Sequence, residues 1–299
     1  MLLALDVGNT QTVIGVFDDR TDGAHARDRV DGELAGLAHH WRIATVAERT
    51  ADEHALLVAD LLRLAGIHAP GRVSAAGGPP PGCAGVVDGV VVSSSVPSVT
   101  AALRLAVESW FDVPLVVVGP GVKTGMAILY DDPREVGADR VVNAVGAIDL
   151  YGGPAIVVDL GTATTFDAIS GVGEYLGGAI VPGIEISMDA LFEHAAALRR
   201  VELVAPGVTI GRSTVESMQA GAIYGYAALV DGLCRRMQRE LGPATIVATG
   251  GLASLIAPHA ETVEHHEPWL TLHGLRLVYA RNGVAAAPAA APARTRAPR

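Results

Sequence analysis

Two similar segments lie half a chain apart in this sequence of 299 residues. The first reads LLALDVGNTQTVIGVF from Leu2, and the second reads IVVDLGTATTFDAIS from Ile156. Aligned on Asp6 and Asp159, which are 153 positions apart, both have an apolar strand, an Asp-x-Gly turn and a run of small hydroxyl or amide residues. A repeat at this period predicts a duplicated domain in which each copy presents one such turn. Chance similarity of two short strands is the competing explanation.

The first turn by itself also fits an ordinary β-hairpin. Asp, Gly, Asn and Thr are common turn residues, and here they would join strands predicted at 2–6 and 13–17. Matching residues in the second segment, Gly161 and Thr165, favour a role shared by the two turns.

Apolar periodicity predicts strands and helices along the rest of the chain. A capping box from Thr50 to Glu53 opens an amphipathic helix that should end near residue 65. The remaining predicted strands are 41–45, 89–93, 115–118 and 155–160, and the remaining predicted helices are 98–110 and 133–150. Strands at the start followed by alternation predict an α/β fold with mixed sheets that carry helices on their faces.

Three stretches lack periodicity. Residues 20–40 are polar and rich in Asp and Arg, and residues 69–89 are rich in Pro and Gly, so both are predicted to be mobile surface loops. The low-complexity end of the chain is predicted to be disordered. We therefore divide the chain into a first domain at 1–128, a second domain at 129–284 and a disordered Ala/Pro/Arg tail at 285–299.

Charge and cysteine content exclude several classes of protein. The formal net charge of −10, without a Lys/Arg-rich run in the body of the chain, argues against a nucleic-acid partner. Cys83 and Cys234 lie far apart and outside any CxxC spacing, which argues against a disulfide scaffold and a structural zinc site. The apolar start contains Asp6 and no basic residue, and no uncharged run reaches the ~18 residues of a membrane span. We expect a cytoplasmic protein without a membrane partner.

The two Asp-x-Gly turns suit phosphate binding in combination with a metal ion. A glycine after a buried strand lets backbone N–H groups approach an anion, and Thr and Asn side chains add hydrogen bonds. The carboxylates by themselves would repel phosphate, so they require a bridging cation, usually Mg²⁺. Two such turns across a cleft predict a nucleotide site between two domains. The P-loop, GxGxxG, kinase catalytic-loop and GxSxG patterns are absent from the sequence.

Together the motifs resemble the superfamily of acetate kinase, sugar kinases, Hsp70 and actin, and in particular the type III pantothenate kinase family. The matching segments follow the family's order: DVGNTQTV at 6–13, HWRIAT at 40–45, VSSSVP at 92–97, GVKTG at 121–125, GADRVVNAVGA at 137–147, DLGTATTFD at 159–167, GGAIVPGI at 177–184, STVESMQAGA at 213–222 and ATGG at 248–251. The resemblance implies two duplicated ribonuclease H-like domains with a nucleotide cleft between them.

The resemblance also implies an activity. Members of the family phosphorylate pantothenate to 4′-phosphopantothenate with ATP and Mg²⁺, the first step of coenzyme A biosynthesis. They require a monovalent cation, K⁺ or NH₄⁺, and usually build the substrate pocket at a homodimer interface. Two alternatives stay open at this point: a non-catalytic transcriptional accessory protein of the same family, and a superfamily kinase with another small hydroxylated substrate.

Residue roles carried over from the family are expectations for this chain. The ATP phosphates are expected at Asp6, Val7, Gly8, Asn9, Thr10, Gln11, Thr12 and Val13, with Asp6 near Mg²⁺ and Thr162 as a further ATP contact. Pantothenate is expected at Tyr130, Gly137, Ala138, Asp139, Arg140 and Thr214, with Asp139 as the catalytic base. Asp159 is the expected ligand of the monovalent cation.

Some of these residues have ordinary structural alternatives. Arg140 suits either the pantothenate carboxylate or the transferring phosphate, and the sequence does not choose between them. Tyr130 could simply pack against its neighbours. Ser213 and Glu216 form a capping-box pattern, so Thr214 is alternatively just the first residue of a helix.

Other acidic and histidine-containing stretches are not predicted to bind metal. Asp131, Asp132 and Asp167 could add acidity to the cleft without being ligands. The segment VEHHEP at 263–268 lacks the i,i+4 histidine spacing of a helical metal site, so we interpret it as a solvated loop.

Overall fold

The computed structural model describes residues 1–18, 29–30, 33–73, 79, 82–195 and 198–282. These residues form two five-stranded sheets with the same internal order. The first sheet contains β1 (Leu2–Val7), β2 (Gln11–Phe17), β3 (Leu37–Ala44), β4 (Gly89–Ser94) and β5 (Leu115–Val117), in the spatial order β3-β2-β1-β4-β5. The second sheet contains β6 (Ala155–Leu160), β7 (Ala163–Ile169), β8 (Tyr175–Pro182), β9 (Thr245–Thr249) and β10 (His265–His266), in the spatial order β8-β7-β6-β9-β10.

Both sheets are mixed in the same way. Strands β1 and β6 are central, and each pairs antiparallel with the strand that follows it and parallel with the strand on its other side. The bounds of β1 and β6 are offset by the same number of residues as the sequence repeat. The duplication and the predicted α/β fold of two mixed sheets flanked by helices are therefore confirmed.

Helices form three layers around the two sheets. The outer face of the first sheet is covered by α1 (Ala51–Leu64) and α2 (Pro97–Ala106). Between the sheets lie α3 (Ala138–Tyr151) and α7 (Leu270–Arg281), which pack against the inner faces of both. The outer face of the second sheet is covered by α4 (Ile184–His194), α5 (Thr214–Leu241) and α6 (Ala253–Ile256).

Residues of β1 alternate between the outer and the inner layer, as expected for a strand that is buried on both faces. Leu2 and Ala4 pack against the inner helices, and Asp6 continues their row at the end of the strand. Asp159 continues the inner row of β6 after Val157 in the same way. The strand periodicity thus directs both carboxylates into the space between the two halves of the chain.

The two inner helices approach each other closely at a glycine. A Cβ on Gly274 would collide with the backbone carbonyl oxygen of Val142. Nearby, the fully buried side chain of His273 lies with its Nε2 2.9 Å from Oδ2 of Asp149. The α3–α7 pair therefore connects the two sheets through a tight helix interface.

The helix predicted at 133–150 is wrong at its start. Pro133–Glu135 form a separate 3₁₀ turn that is capped by the side chain of Asp132, and α3 begins only at Ala138. Val136 between them is extended, because the chain must turn before it enters the inner layer. The capping box at Thr50, in contrast, is confirmed: its hydroxyl accepts the N–H of Glu53, whose side chain accepts the N–H of Thr50.

Part of the loop predicted at 20–40 is a strand. The ladder between β3 and β2 continues past a β-bulge to Phe17, so β3 begins at Leu37 and the strand predicted at 41–45 was too short. Pairing with a neighbouring strand decides this extension, and local periodicity does not reveal it. Most of the remaining loop falls outside the described residues.

Two short strand pairs lie outside the main sheets: Arg29–Val30 with Glu33–Leu34, and Ile67–His68 with Gly85–Val86. The second pair and a 3₁₀ turn at Gly71–Val73 show that the loop predicted at 69–89 was partly wrong, although 74–78 lie outside the described residues. Parallel pairing of such short segments is again imposed from outside the local sequence.

Three further predictions have different outcomes. The loop predicted at 263–268 is wrong because His265–His266 pair with β9. The helix predicted at 98–110 ends in a π-helical turn at Val107–Phe111. The tail at 285–299 lies outside the described residues. In the part of the chain that the structure covers, no helix has the length and apolar character needed to cross a membrane.

Candidate active site

The carboxyl ends of β1 and β6 open into one cleft of about 480 Å³ between the two halves of the chain. Nine residues expected at the ATP, catalytic or cation positions line it: Asp6, Gly8, Asn9, Thr10, Gln11, Val13, Asp139, Asp159 and Thr162. The two turns touch across the cleft, where the hydroxyl oxygens of Thr10 and Thr162 are 3.0 Å apart. The duplicated turns therefore converge on a single site.

Two residues of the first turn face away from the cleft. Val7 is buried in the core beneath the outer helices. Thr12 is also buried, and its hydroxyl oxygen lies 2.8 Å from that of Thr45. Because both side chains are engaged by the fold, only their backbone groups are available to a nucleotide.

Glycines keep both turns tight. The N–H of Gly8 donates to the carbonyl oxygen of Gln11 at 3.0 Å, and the N–H of Gly161 donates to that of Ala163 at 3.1 Å. A Cβ on Gly8 would lie only 3.1 Å from the Gln11 oxygen, so a larger residue would press on the turn. Short turns of this kind leave polar groups at their tips free to face an anion.

Burial and mutual repulsion raise the pKa values of two carboxyl groups in the cleft. Burial and repulsion from Asp139 and Asp159 raise the pKa of Asp6 to about 8. Burial and repulsion from Asp139 and Asp167 raise the pKa of Asp159 to about 7. Crowded, desolvated carboxyl groups disfavour their charged forms, so a cation in the cleft would be needed to keep both ionised near neutral pH.

Asp159 accepts a hydrogen bond from α3, and α7 supports the donor. Nδ2 of Asn143 in α3 donates to its Oδ2 at 3.0 Å, and Thr271 in α7 donates to Oδ1 of Asn143 at 2.7 Å. On the other side, a Cβ on Gly250 would lie 2.5 Å from Oδ1 of Asp159. Gly250 has a positive φ of 95°, so glycine suits this position for both space and conformation.

The donor set of the cleft fits a hard cation. Asp6, Asp139 and Asp159 offer carboxylate oxygens, which Mg²⁺ prefers over nitrogen or sulfur. Within the described residues, no three His, Cys, Asp or Glu side chains are grouped closely enough to hold a metal ion by themselves. Mg²⁺ is commonly held by one or two carboxylates together with substrate phosphates and water, and this arrangement matches that donor set.

Asp139 lies at the start of α3 and faces the cleft. Its Oδ1 accepts the backbone N–H of Arg140 at 2.9 Å, which fixes the carboxylate at the helix N-terminus. A Cβ on Gly137 would lie 2.5 Å from this oxygen, so the preceding glycine makes room for it. The other carboxylate oxygen is not part of this hydrogen bond and is the one suited to accept a substrate proton.

The guanidinium of Arg140 points away from the cleft into a buried network. Its Nε and Nη2 lie 2.8 Å and 2.7 Å from Oδ1 of Asp167, and the hydroxyl of Tyr175 donates to the same oxygen at 2.7 Å. Tyr130 packs nearby, with its ring centroid 6.4 Å from that of Tyr175 and its edge over Gly177. The expected substrate residues at 130 and 137–140 thus gather beside the start of α3.

Thr214, the last of the expected substrate residues, does not line the nucleotide cleft. It is the first residue of α5. The hydroxyl of Ser213 accepts the N–H of Glu216, but the Glu216 side chain accepts the N–H of Arg212, so the predicted capping box is only half formed. Thr214 lines a second, open cleft of about 860 Å³ together with Ser187, Met188, Leu191, Leu198, Gly211, Arg212, Ser213, Ser217, Met218, Gly221, Ala222 and Tyr226. The structure therefore does not bring Thr214 to the nucleotide cleft of its own chain.

Several residues of the site were missed from the sequence. Asn143 could have been found, because it lies one helical turn after Asp139 and is a polar residue within an apolar helix. Arg42 lies within the matching segment HWRIAT, for which no role was predicted, and it lines the cleft. The contact of Thr271 depends on how α7 packs on α3, and the contact of Asp167 with Arg140 depends on how α3 packs on β7. No local signal identifies either contact.

A fold of two repeated mixed sheets, with paired Thr-rich turns and a carboxylate cluster in the cleft between them, defines a nucleotide-dependent phosphotransferase of the two-domain kinase class. Residues 2–236 match the family described as type III pantothenate kinase. The chain belongs to the type III pantothenate kinase family.

Relatives with that name match nearly the whole chain. The type III pantothenate kinase of Streptomyces avermitilis is 51% identical over 287 residues, covering 94% of this chain and 98% of the relative. That of Myxococcus xanthus is 51% identical over 283 residues, covering 94% of this chain and 99% of the relative. This level of identity over full length means that the chain is a kinase.

Solved structures support the fold. A protein described as a Baf family transcriptional activator from Campylobacter jejuni has a TM-score of 0.52 at 15% identity, covering 94% of this chain and 98% of that one. A protein described as a 2-dehydro-3-deoxygalactonokinase from Sinorhizobium meliloti also has a TM-score of 0.52, at 12% identity, covering 97% of this chain and 100% of that one. At these identities the likeness concerns the fold alone.

Proposed function

We propose that the cleft between the two sheets transfers the γ-phosphoryl group of ATP to pantothenate, with Asp139 as the general base. Family membership and relatives of about half-identical sequence support ATP-dependent phosphorylation of pantothenate, the first step of coenzyme A biosynthesis, over the two alternatives. The single observation that carries the mechanism is the convergence of Asp6, Asp139 and Asp159 beside two tight, Thr-rich turns.

The reaction needs positioning, charge neutralisation and a proton acceptor. The hydroxyl oxygen of pantothenate forms a bond to the γ-phosphorus as the bond from that phosphorus to the ADP oxygen breaks, and the electron pair leaves with ADP. The proton of the hydroxyl group passes to the carboxylate of Asp139. Its fixed position at the start of α3 favours this role, because one oxygen is anchored by the N–H of Arg140.

The first turn, at 6–13, and Thr162 are assigned to ATP. Backbone N–H groups and the side chains of Asn9 and Thr10 suit phosphate oxygens, whereas Asp6 would hold the Mg²⁺ ion that accompanies ATP. When bound, Mg²⁺ neutralises phosphate charge and supplies electrophilic assistance. The raised pKa of Asp6 agrees with a carboxyl group that becomes ionised when the cation arrives.

We assign Asp159 to a monovalent cation, K⁺ or NH₄⁺. One of its oxygens is engaged by Asn143, and the other lies against Gly250 and faces the cleft. Backbone carbonyl groups of the surrounding turns could complete a shell of weakly bound oxygen ligands. Sodium would fit such a shell less well because it is smaller.

We assign Tyr130, Gly137, Ala138, Asp139 and Arg140 to pantothenate. Arg140 acts in this assignment by fixing the pocket wall, since its guanidinium is paired with Asp167. Thr214 does not line the nucleotide cleft of its own chain, so we infer that it completes the pocket of a second copy.

A homodimer also explains an exposed apolar surface around Thr214. Large hydrophobic side chains that are at least two fifths exposed occur on β8, on α4, at the start of α5 and in the segment before α5: Ile180, Ile186, Leu191, Val204, Val208, Ile210 and Val215. Apolar patches of this kind mark interfaces between proteins. A second copy is the occupant that also accounts for the expected substrate role of Thr214.

The remaining assignments follow from the substrates. ATP and 4′-phosphopantothenate, a precursor of coenzyme A, are handled in the cytoplasm, so we place the enzyme there. The net charge of −10 is unfavourable for binding the negatively charged backbone of a nucleic acid, which disfavours a transcriptional role.

The boundary between the two domains is proposed near residue 128, between the last strand of the first sheet and α3.

Pantothenate-dependent ADP release by the purified protein with Mg-ATP tests the function. The assay is run in parallel with potassium and with sodium as the only monovalent cation, and with a panel of sugars in place of pantothenate. Release that requires pantothenate supports the reaction, and release that also requires potassium supports the cation site. Folded protein that releases ADP only with another acceptor, or with none, would refute the assignment of pantothenate.

A further inference from the structure

The nucleotide cleft has an excess of negative charge. Four carboxylates line it, those of Asp6, Asp139, Asp159 and Glu185, and Arg42 is the single Lys, Arg or His side chain that does so within the described residues. ATP adds further negative charge, of which Mg²⁺ neutralises a part. A cation fixed to the protein would be most valuable where charge develops during transfer, because it needs no reorganisation there.

The register of the first sheet directs Arg42 into the cleft. Arg42 in β3 lies opposite Val13 in β2, and Val13 lies opposite Asp6 in β1. Directly opposed residues on antiparallel strands project from the same face of the sheet. Arg42, Val13 and Asp6 therefore form one row on the inner face, and Arg42 approaches the carboxylate cluster from the edge of the sheet.

The guanidinium group lies between the two halves of the chain. Its Nη1 donates to Oε1 of Gln11, in the first turn, at 2.9 Å. A Cβ on Gly251, in the loop after β9, would lie 3.1 Å from the same nitrogen. A guanidinium has five N–H donors, and Gln11 takes one of them among the contacts of the described residues. Arg42 is thus fixed in place and retains donors for an anion in the cleft.

We propose that Arg42 binds the γ-phosphoryl group of ATP and stabilises its negative charge during transfer. This inference rests on the pantothenate kinase reaction and on the turn assignments proposed above. As phosphorus passes from the ADP oxygen to the pantothenate oxygen and the hydroxyl proton passes to Asp139, Arg42 keeps its own protons and donates hydrogen bonds to the γ-phosphoryl oxygens. Its planar fork matches two oxygens of one phosphoryl group, which the point charge of a lysine does not.

Nucleotide binding tests the contact without requiring activity. The dissociation constants of Mg-ADP and of Mg²⁺ with a non-hydrolysable ATP analogue are measured by calorimetry for wild type, Arg42→Gln and Arg42→Lys. We expect Arg42→Gln to bind the ATP analogue at least about tenfold more weakly and to bind Mg-ADP within about twofold of wild type, because ADP lacks the γ-phosphoryl group.

A matched control comes from α1. Arg63 is exposed and paired only with Asp60 in the described structure, so Arg63→Gln should leave both affinities unchanged. Equal weakening of both nucleotides by Arg42→Gln would overturn the proposal, since it would mean that Arg42 merely supports the first turn through Gln11. Thermal melting of every variant verifies that the fold is retained.

Turnover gives a second test. Arg42→Gln should lower kcat by about 100-fold or more, and Arg42→Lys should recover part of that loss. A kcat for Arg42→Gln within about threefold of wild type would overturn the proposal. Failure of the proposed function is separable, because a wild type that binds nucleotide but does not phosphorylate pantothenate refutes the substrate assignment, while the binding comparison still decides the role of Arg42.

Discussion

The hydroxyl oxygens of Thr10 and Thr162, 152 residues apart in the chain, lie 3.0 Å from each other across the nucleotide cleft. Each threonine belongs to one of the two repeated turns, so the two halves of the chain meet at the point where phosphate is proposed to bind. The contact is between two exposed groups and contributes little stability. Both hydroxyl groups are free to exchange this contact for hydrogen bonds to phosphate oxygens when ATP enters.

If the Thr162 hydroxyl exchanges its contact for a phosphate oxygen, Thr162→Val should weaken the binding of ATP. Loss of the hydroxyl should raise KM for ATP by about tenfold, because one hydrogen bond to a charged phosphate is lost, while the melting temperature changes little. Thr164→Val is the control: Thr164 is fully buried in β7, two residues further along the chain, and lies outside the cleft, so this variant should leave KM for ATP unchanged. An unchanged KM for ATP in Thr162→Val would remove Thr162 from the ATP site.

Asp139→Asn tests the proposed base. The amide keeps the size of the side chain and can still accept the N–H of Arg140, so the fold should be retained. It cannot take up the hydroxyl proton, and we expect kcat to fall by about 100-fold to 10,000-fold while the affinity for Mg-ATP stays close to wild type. Single-turnover rates and calorimetry measure the two effects separately. Near-normal turnover in the variant would exclude Asp139 as the base.

Local patterns revealed the centre of each sheet but not its edges. The bounds of β6 agree with the prediction, and β1 ends one residue later than predicted, because a central strand that is buried on both faces leaves a clear apolar run in the sequence. The start of β3 at Leu37 and the short pair at Ile67–His68 depend on neighbouring strands, which a local pattern cannot specify.

The same distinction applies to the site. Asp6 and Asp159 stand out in the sequence because a carboxylate at the end of an apolar strand requires compensation. Arg42 does not stand out, since an arginine on a half-exposed edge strand is ordinary until the register places it opposite Val13. The pairing of Arg140 with Asp167 joins a helix to a strand, so it too becomes visible only once the second half has folded.

The carboxylate cluster should make the nucleotide-free protein less stable at higher pH. Because burial and the neighbouring carboxylates raise the pKa of Asp6 to about 8, the folded protein holds a proton there that the unfolded chain has lost above pH ~4. The stabilisation is complete below the unfolded pKa and is lost as pH rises through the folded pKa. We expect a melting temperature several degrees lower at about pH 8.5 than at about pH 6.

Asp6→Asn isolates this effect. The uncharged amide should flatten the pH dependence and melt higher than wild type at alkaline pH, while activity is lost together with the metal contact. Asp60→Asn, on the exposed face of α1, should keep the wild-type pH dependence. Melting curves recorded in the presence of a chelator across the pH range provide the comparison, and equal slopes for wild type and Asp6→Asn would contradict the assigned source of the effect.

A site shared between two subunits predicts complementation. Thr214→Glu should abolish pantothenate binding by repelling its carboxylate, yet the fold tolerates an acidic residue in the first turn of α5. Asp139→Asn disables the same pocket from the other subunit. Unfolding and refolding the two inactive variants as a mixture should restore activity to about a quarter of wild type, because half of the dimers are mixed and each has one intact pocket.

Light scattering must show a dimer for this test to apply. If the mixture has only the average activity of its two components, Thr214 acts within its own chain or not at all. A monomer in solution at assay concentrations would refute the shared pocket directly.

The close contact between α3 and α7 predicts that alanine substitution at two glycines changes the unfolding free energy in opposite directions. Gly274→Ala would drive a methyl group into the carbonyl of Val142, so the inner helices must separate; we expect a loss of about 1–3 kcal/mol or more in unfolding free energy. Because α3 carries Asp139 at its start, kcat should fall as well. Gly232→Ala, on the exposed side of α5 with no neighbour within 4 Å, should instead stabilise the protein by about 0.5–1 kcal/mol through helix propensity. Chemical denaturation of both variants measures the contrast, and equal stabilities would mean that α3 and α7 are not packed this closely.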